Sequence, residues 1–210
     1  MLLIILLIIV SYIIGSIPTA YLFVRIIKGI DIRKTGSGNV GATNALRILG
    51  KGWGFSVLFL DILKGFLPVF FLGTLISDRI SFIQEHNLLI IIGFCAICGH
   101  NWTLFLKFKG GKGVATTLGV LLALSFKIQG LKIALALIVL IWVVSFIFFR
   151  IISLSSILAA LTFPLFILIL KLPLSIIIIS FLLSVFIILR HKSNLKRLIK
   201  GEEPRLSFKR

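Results

Sequence analysis

Seven runs of apolar residues, separated by short polar segments, account for most of this chain. Six of them are long enough for a helix that crosses a bilayer, which needs about 20 residues. The fourth run is short, so it either crosses a thinned or tilted region or enters partway and is buried by its neighbours. The pattern predicts an all-α integral membrane protein with about seven transmembrane helices. The runs are 2–24, 53–76, 87–106, 114–126, 131–149, 151–170 and 173–189.

The composition agrees with this pattern. With 210 residues, 59% of them hydrophobic, and a mean hydropathy of +1.19, the chain holds more apolar material than one soluble core of this size could bury. No long linker, low-complexity tract or internal repeat interrupts it, so residues 1–210 are predicted to form a single multi-pass membrane domain. The first run lacks a basic segment and a cleavage site, which favours a retained span over a cleaved signal peptide.

The Lys and Arg residues determine the predicted orientation. When seven spans are drawn with the N-terminus outside, 18 of the 23 basic residues fall on inner segments, while only Arg79, Lys127, Lys132 and Lys171 fall on outer ones. Because basic loops tend to stay in the cytoplasm, this bias predicts an outer N-terminus and a cytoplasmic C-terminus.

The formal net charge of +17 is largely explained by the same bias and by contact with anionic membrane lipid. Nucleic acid is an unsuitable partner, because the charges are dispersed over membrane loops and no basic soluble domain carries them. Cys95 and Cys98 lack a second cysteine pair, so they are interpreted as small packing residues. No metal site is predicted.

Three inner segments combine glycine with basic or amide side chains. The first runs from Gly36 to Arg47, and its glycines let successive backbone N–H groups turn towards one centre, as in phosphate-binding nests. It matches G-x-G-x-x-G, but a membrane span precedes it in place of a strand, which argues against a dinucleotide site. A short helix is predicted over 42–49, with Arg47 one turn beyond Thr43 and able to clamp an anion. The alternative is a glycine-rich turn with a snorkelling arginine.

The second segment places Gly110, Gly111 and Gly113 around Lys112, just before a helix that is predicted to begin near Val114. Backbone amides at a helix start, the positive end of the helix dipole and a lysine together favour a phosphate. The spacing of a P-loop is absent. The two earlier lysines of this segment are interpreted as ordinary inside-positive anchors.

The third segment continues from the last span. On a continuous helix, His191 and Asn194 would share a face with Arg197 one turn further, and the helix would end at Gly201. A histidine there can bind an anion, donate a hydrogen bond or act as a base. By itself a juxtamembrane histidine in a basic tail usually has no special role.

Two further groups of polar residues lie within the spans. Asp61 and Lys64 are one helical turn apart, and they form either a structural pair that holds the second span against the first loop or, as the less favoured alternative, a direct substrate contact. Ser153, Ser155 and Ser156 either line a polar cleft or simply pack helices.

Taken together, these motifs resemble the bacterial acyl-phosphate:glycerol-3-phosphate acyltransferase family, PlsY. The likeness covers nearly the whole chain and implies a seven-helix protein of the bacterial cytoplasmic (inner) membrane, with its active site on the cytoplasmic face. It also implies transfer of a fatty acyl group from acyl phosphate to the 1-hydroxyl of sn-glycerol 3-phosphate, which gives lysophosphatidic acid and inorganic phosphate for phospholipid biosynthesis. The motifs are SGNVGATN at 37–44 with Arg47, GHN at 99–101, FKGGKGVAT at 108–116, and RHxxNxxR at 190–197 followed by GE at 201–202.

The resemblance also implies roles for single residues. Lys112 would bridge both substrates, assisted by Gly110 and Gly111, and together with Arg47 and His191 it would be catalytic. The glycerol 3-phosphate would meet His191, Asn194 and Ser153. The pocket for the phosphate of the acyl donor would consist of Ser37, Gly38, Asn39, Gly41, Thr43, Asn44 and Arg47.

Acyl transfer from an acyl phosphate agrees with the absence of certain catalytic motifs from this sequence. An acyl phosphate is already activated, so neither a covalent nucleophile nor a metal nor another cofactor is required. No histidine is followed by an aspartate five residues later, so the pattern of acyl-thioester glycerolipid acyltransferases is missing. We expect Lys112, Arg47 and loop amides to neutralise the leaving phosphate and the developing oxyanion. Either His191 or a phosphate oxygen of the donor would be the base.

The rival hypothesis is a transporter or a lipid-binding module for an anionic solute. Transport would favour paired hydropathy halves and charges along the spans. Asp61 and Lys64 are the only clear deep charges in this sequence, and the phosphate motifs fall on one predicted face. The pattern therefore favours the enzyme, while the oligomeric state and the acyl-chain preference are left open.

Overall fold

The structure, a computed structural model, describes residues 1–73 and 83–206. Within those residues every regular element is helical, in agreement with the all-α prediction. Several predicted features lie outside the described residues, namely the end of the second apolar run, the outer segment with Arg79, and Lys209 and Arg210. The helices are α1 (Leu2–Ser16), α2 (Thr19–Lys28), α3 (Ala42–Leu49), α4 (Lys51–Leu67), α5 (Glu85–Asn101), α6 (Val114–Leu124), α7 (Leu131–Phe149), α8 (Ile152–Ile169), α9 (Leu174–Arg190) and α10 (Lys192–Ile199).

The contacts between helices divide the chain into two compact units, Met1–Lys127 and Ile128–Arg210. We call them unit 1 and unit 2. Unit 1 contains α1 to α6, and its largest helix contacts join α1 to α5 and α4 to α6. Unit 2 contains α7 to α10, with α8 between α7 and α9. The prediction of a single domain over 1–210 stays a prediction.

Five helical stretches among the described residues are long and apolar enough to cross a membrane. They correspond to five of the predicted runs, and α9 together with α10 supplies a sixth if this bent pair is one span. The predicted total of seven therefore depends on α6, which contains 11 residues. At a rise of about 1.5 Å per residue, α6 is only about 16 Å long, roughly half the thickness of a bilayer core.

Glycines bring α6 close to its neighbour in unit 1. A Cβ atom at Gly119 would overlap the carbonyl of Ile62 on α4, and a Cβ atom at Gly65 of α4 would overlap the carbonyl of Thr116 on α6. Such close backbone approach is typical of membrane helices that pack through small residues. Protein therefore covers this face of the short helix, as expected for an apolar segment too short to span a bilayer by itself.

The first apolar run is broken between α1 and α2. Pro18 has no backbone N–H and disfavours a helical residue before it, so α1 ends at Ser16 and α2 starts at Thr19. The break exposes the carbonyl of Ile17 to side chains from α4, which matters for the site below.

The last helix does not continue straight into the basic tail, and the expectation of a continuous helix through His191 was wrong. The axes of α9 and α10 differ by 62°, and His191 lies at the bend with φ −96° and ψ 11°. His191 and Asn194 are nevertheless both buried. The helix ends at Ile199, and Gly201 takes φ +70°, so the predicted stop is confirmed.

The orientation of the spans stays a prediction, and single-cysteine labelling checks it. In a cysteine-free background, we expect cysteines at positions 38, 110 and 194 to be labelled only from the cytoplasmic face, because the basic residues are concentrated there. A cysteine at position 80, outside the described residues, should be labelled from the outer face. Labelling of position 110 from outside intact cells would contradict the proposed orientation.

Candidate active site

The loop before α3 is organised by one buried amide. Asn44, in the first turn of α3, is fully buried, and its Oδ1 accepts a hydrogen bond from Ser37 N at 3.0 Å. Its Nδ2 lies within hydrogen-bond distance of the carbonyls of Ile32, Thr35 and Asn39, at 3.0–3.3 Å. A buried amide that satisfies this many backbone groups fixes the loop in one conformation. Asn44 therefore fixes the backbone of the loop that forms the candidate pocket.

Two glycines of this loop take conformations that L side chains rarely adopt. Gly36 has φ +62° and Gly38 has φ +70°, and a Cβ atom at Gly36 would overlap Asn44 Oδ1. Ser37, between them, is exposed, while Asn39 and Thr43 are half-buried. The loop is thus a tight, glycine-dependent turn with hydroxyl and amide side chains beside it. The N–H groups of Ser37 and Gly38 donate to Asn44 Oδ1 and to the Thr35 carbonyl, so these two amides do not form the predicted nest.

A local ion pair supports the same loop at its start. Arg33 donates to both carboxylate oxygens of Asp31, the shortest contact being 2.6 Å, and its guanidinium lies 5.5 Å from the centre of the Tyr21 ring. The hydrogen bond from Arg33, which outweighs the effect of burial, lowers the pKa of Asp31 to about 2. Asp31 therefore stays ionised at neutral pH. Its carboxylate also accepts a hydrogen bond from Arg33 N and so caps the short 3-10 helix Ile32–Lys34 at the start of the loop.

The second predicted segment lies against the first within unit 1. A Cβ atom at Gly111 would lie 2.7 Å from the carbonyl oxygen of Val40, so the two glycine-rich loops approach at this point. The 110–113 loop is also bound to the end of α5, because Gly111 N donates to the carbonyl of His100 at 3.0 Å and Gly110 N donates to that of Asn101 at 3.2 Å. The structure thus brings together two segments that are about 70 residues apart in sequence.

The basic residues of these two loops differ in exposure. Lys107 and Lys109 are exposed, whereas Lys112 is half-buried between the buried Gly111 and Gly113. Gly113 has φ +79°, and α6 begins directly after it, as predicted. The first N–H groups of a helix have no acceptor within the helix, so Lys112 stands where an anion would be favoured. Arg47, on α3, is exposed.

In unit 2 a carboxylate that the sequence did not single out joins several predicted residues. Glu203 Oε1 accepts hydrogen bonds from Ser153 Oγ at 2.6 Å and from Asn194 Nδ2 at 2.5 Å. Its Oε2 accepts one from Arg197 Nε at 2.7 Å. The chain beyond α10 is held in place by a hydrogen bond from Leu206 N to the carbonyl of Arg150. Glu203 is therefore the centre of this cluster.

The charge of Glu203 is stabilised in place. Burial by itself would raise the pKa of its carboxyl, but the hydrogen bonds from Ser153, Asn194 and Arg197 outweigh it, so the pKa lies below its ordinary value. No role was assigned to Glu203 from the sequence. The available signal was its place in the GEE sequence that follows the third motif.

The ring of His191 has a defined tautomer. Its Nδ1 lies 2.7 Å from the carbonyl oxygen of Ile187. Because a carbonyl can only accept, Nδ1 carries the proton, and Nε2 of the neutral ring is the nitrogen that can accept one. This arrangement suits a base, and it also fixes the direction of the ring at the bend between α9 and α10.

The structure distinguishes the three serines of α8. Ser155 and Ser156 donate to carbonyls one turn back in their own helix, and Ser156 also accepts from Trp142 Nε1. Ser153 alone among them donates to a side-chain carboxylate, that of Glu203. Its hydroxyl is therefore the one that belongs to the polar cluster, in line with its choice from the sequence.

Asp61 and Lys64 form a buried pair in unit 1, with Oδ1 and Nζ 2.8 Å apart. Lys64 Nζ also donates to the Ile17 carbonyl at the break between α1 and α2, and Thr19 Oγ1 donates to Asp61. The pair thus ties α4 to the break in the first apolar run, whereas from the sequence it was expected to hold the second span against the first loop.

The described residues were also compared with the side-chain groups that metal or redox sites require. In residues 1–73 and 83–206, no group of three or more His, Cys, Asp or Glu side chains could hold a metal ion. Cys95 and Cys98 are free thiols, both half-buried in α5. They pack as small apolar residues would.

Comparison with known proteins gives consistent matches over nearly the whole chain. The sequence model of the family described as glycerol-3-phosphate acyltransferase matches residues 5–201. A glycerol-3-phosphate acyltransferase of Endomicrobium trichonymphae is 44% identical over 206 residues, which cover 98% of this chain and 97% of the relative. One from Desulforudis audaxviator is 40% identical over 200 residues, covering 95% and 94%.

Solved structures show the same fold. The crystal structure of PlsY (YgiH), an integral membrane glycerol 3-phosphate acyltransferase, in its glycerol 3-phosphate form, superposes with a TM-score of 0.84 at 38% identity. The match covers 97% of this chain and 96% of that protein. The lysophosphatidic acid form of PlsY gives a TM-score of 0.81 at 37% identity, covering 97% and 95%.

Proposed function

This chain belongs to the glycerol-3-phosphate acyltransferase family, and we propose that it transfers a fatty acyl group from acyl phosphate to the 1-hydroxyl of sn-glycerol 3-phosphate. The products are lysophosphatidic acid and inorganic phosphate, which places the reaction in phospholipid biosynthesis at the bacterial cytoplasmic membrane. The observation that carries the proposal is the approach of the two glycine-rich loops in unit 1, with Lys112 at the start of α6. Both loops place polar or basic side chains beside glycine and next to the start of a helix, where the dipole favours an anion.

The donor phosphate is assigned to the loop before α3. Ser37, Asn39 and Thr43 supply donors at its rim, while the exposed guanidinium of Arg47 can bind two phosphate oxygens at once. Gly38, with φ +70°, and the buried Gly41 allow the tight course of this loop around the proposed anion. Asn44 belongs to this pocket through the loop backbone that it holds.

The glycerol 3-phosphate is assigned to Ser153, His191 and Asn194 of unit 2. Ser153 and Asn194 are oriented by Glu203, which accepts a hydrogen bond from each. Lys112, with the backbone of Gly110 and Gly111, is assigned to both substrates, because an ammonium group can neutralise phosphate oxygens from more than one direction.

The reaction needs a nucleophilic hydroxyl and a stabilised leaving group. The 1-hydroxyl oxygen forms a bond to the acyl carbon, the bond from that carbon to the bridging phosphate oxygen breaks, and phosphate leaves with the electron pair. Lys112, Arg47 and the loop amides stabilise the charge on the oxyanion and on the departing phosphate. The hydroxyl proton passes either to Nε2 of His191 or to an oxygen of the donor phosphate.

An assay with defined substrates tests this proposal. Purified protein in detergent or lipid is mixed with acyl phosphate and glycerol 3-phosphate, and the release of inorganic phosphate is measured together with lysophosphatidic acid. We expect the two products in equal amounts, with neither formed at a significant rate when one substrate is omitted. Phosphate release without acylated product would show hydrolysis and contradict an acyltransferase.

The choice of donor is a separate prediction. Acyl phosphate should support turnover and acyl-CoA should not, because a thioester has no phosphate at the reacting carbon for the two loops to bind. Initial rates with the two donors at equal acyl-chain length measure this preference. Comparable rates with both donors would contradict the assignment of the loops while leaving the acyltransferase activity itself intact.

A further inference from the structure

A group of four polar side chains is buried beneath the loop that carries Lys112, in unit 1. Thr19, Asp61, Lys64 and His100 are each at most 8% exposed. Asp61 Oδ1 is their shared atom: it lies 2.5 Å from Thr19 Oγ1, 2.8 Å from Lys64 Nζ and 3.7 Å from His100 Nδ1. The last distance is longer than a hydrogen bond but within electrostatic contact. One carboxylate oxygen therefore faces side chains from α2, α4 and α5.

The link from His100 to the loop is direct. The carbonyl of His100 accepts a hydrogen bond from Gly111 N at 3.0 Å. Its ring lies against the same residue, because a Cβ atom at Gly111 would overlap His100 Nε2. A ring that turned towards the loop would therefore displace Gly111, and one that turned away would remove its support; the neighbour of Gly111 in the chain is Lys112.

The other end of the loop rests on the same turn of α4. Gly65, which follows Lys64, lies so close to α6 that a Cβ atom there would overlap the carbonyl of Thr116, in the first turn of that helix. The chain just beyond α5 is also fixed to α1, since Thr103 Oγ1 donates to the carbonyl of Ser16. The segment from α5 to α6 is thus supported at both ends by a small, buried part of unit 1.

From this geometry we propose that Asp61 and His100 are positioning residues for the Lys112 loop: Asp61, balanced by Lys64, holds the His100 ring, and the ring sets where Gly111 and Lys112 lie. This inference rests on the proposed function, because it concerns the placement of the ammonium group that stabilises the transferred phosphate. Asp61 and Lys64 touch no substrate in this account.

The energetics favour such a role over simple helix adhesion. A buried ion pair contributes little net stability compared with well-packed apolar residues of similar size, because desolvation offsets its attraction. What it imposes is a fixed geometry, and displacement of a catalytic group by about 1 Å can slow a reaction about a hundredfold. The free-energy cost of burying the Asp61–Lys64 pair is thus offset, for catalysis, by the precise position that the pair gives to Lys112.

The test replaces the pair with apolar residues of similar size. In the double variant Asp61→Leu/Lys64→Met, thermal unfolding of the purified protein should shift little, whereas kcat should fall at least about tenfold, with a smaller change in KM for either substrate. The matched control is Ile92→Ala. It truncates a fully buried side chain about two turns before His100 in α5. It should lower the unfolding temperature yet leave kcat per folded molecule near that of the wild type.

The variant His100→Phe is the second arm, because it keeps a ring against Gly111 and removes both nitrogens. It should lower kcat to a similar extent, and the triple variant should be no slower than the slower of its two parents, since both changes break one connection. Near-normal kcat in a folded His100→Phe protein would overturn the proposal, as would additive losses in the triple variant. If the double variant does not fold, the His100→Phe result decides.

The activity of the wild-type protein distinguishes a failure of this proposal from a failure of the proposed function. If the wild type forms no lysophosphatidic acid from the two substrates, the proposed function fails. If the wild type is active and a folded Asp61→Leu/Lys64→Met protein is equally active, only the positioning role fails.

Discussion

Lys112→Ala is expected to slow acyl transfer at least about a hundredfold, the equivalent of about 3 kcal/mol of transition-state stabilisation. The reason is the place of this lysine: it is half-buried between two buried glycines and lies immediately before the start of α6. A charge in a partly water-excluded site stabilises a developing anion more strongly than a charge in open solvent. Measurement of kcat and of kcat/KM for both substrates on the purified variant checks the expectation.

The control is Lys107→Ala, from the same loop. Lys107 is exposed, so as an inside-positive anchor it should be dispensable for turnover, while the remaining basic residues preserve orientation. Lys112→Arg should restore little activity, because a guanidinium is larger than an ammonium and Gly111 and Gly113 leave little room. Near-normal turnover by a folded, correctly inserted Lys112→Ala protein would remove Lys112 from the catalytic residues.

Glu203→Ala is expected to lower kcat/KM for glycerol 3-phosphate roughly a hundredfold. Ser153 and Asn194 both donate to the Glu203 carboxylate, and loss of two hydrogen bonds to a charged group, each about 1.5 kcal/mol or more, would leave both side chains without their orienting acceptor. The KM for acyl phosphate should change much less. Steady-state kinetics with each substrate varied in turn separate the two effects.

Glu202→Ala is the matched control for this prediction. Glu202 precedes Glu203 and has the same side chain, but it is exposed. Its loss should leave both kinetic constants near their wild-type values. An equal loss in the two variants would point to the charge of the tail instead of the hydrogen bonds at Glu203, and the proposed orienting role would then be wrong.

Much of the candidate site could be predicted from local sequence. The glycine-rich loop, the short helix over 42–49 and the start of a helix at Val114 are all found where the residues indicated. These features depend on backbone conformation within a few residues, which glycine, proline and helix ends determine directly. Ser153 was selected through the family resemblance and not from local sequence, and its contact with glycerol 3-phosphate stays a prediction.

Other features of the site needed the packed structure. Asn44 was expected among the ligands of a phosphate, yet its amide is fully buried and occupied by the backbone of the loop. Glu203 was one of two neighbouring glutamates in a basic tail until its three partners were seen together. The pattern of polar residues cannot show whether a side chain turns towards a ligand or towards its own loop.

The sequence by itself determined the class of protein and the approximate position of most apolar helices, because a bilayer demands long apolar segments with internally satisfied backbones, and few other patterns meet that demand. Only the tertiary structure decided which distant polar groups meet: Thr19 with Asp61, 42 residues apart, and Ser153 with Glu203, 50 residues apart. Periodicity and residue preference act over one or two helical turns. Such pairings arise only when whole helices pack and each buried polar group must find a partner.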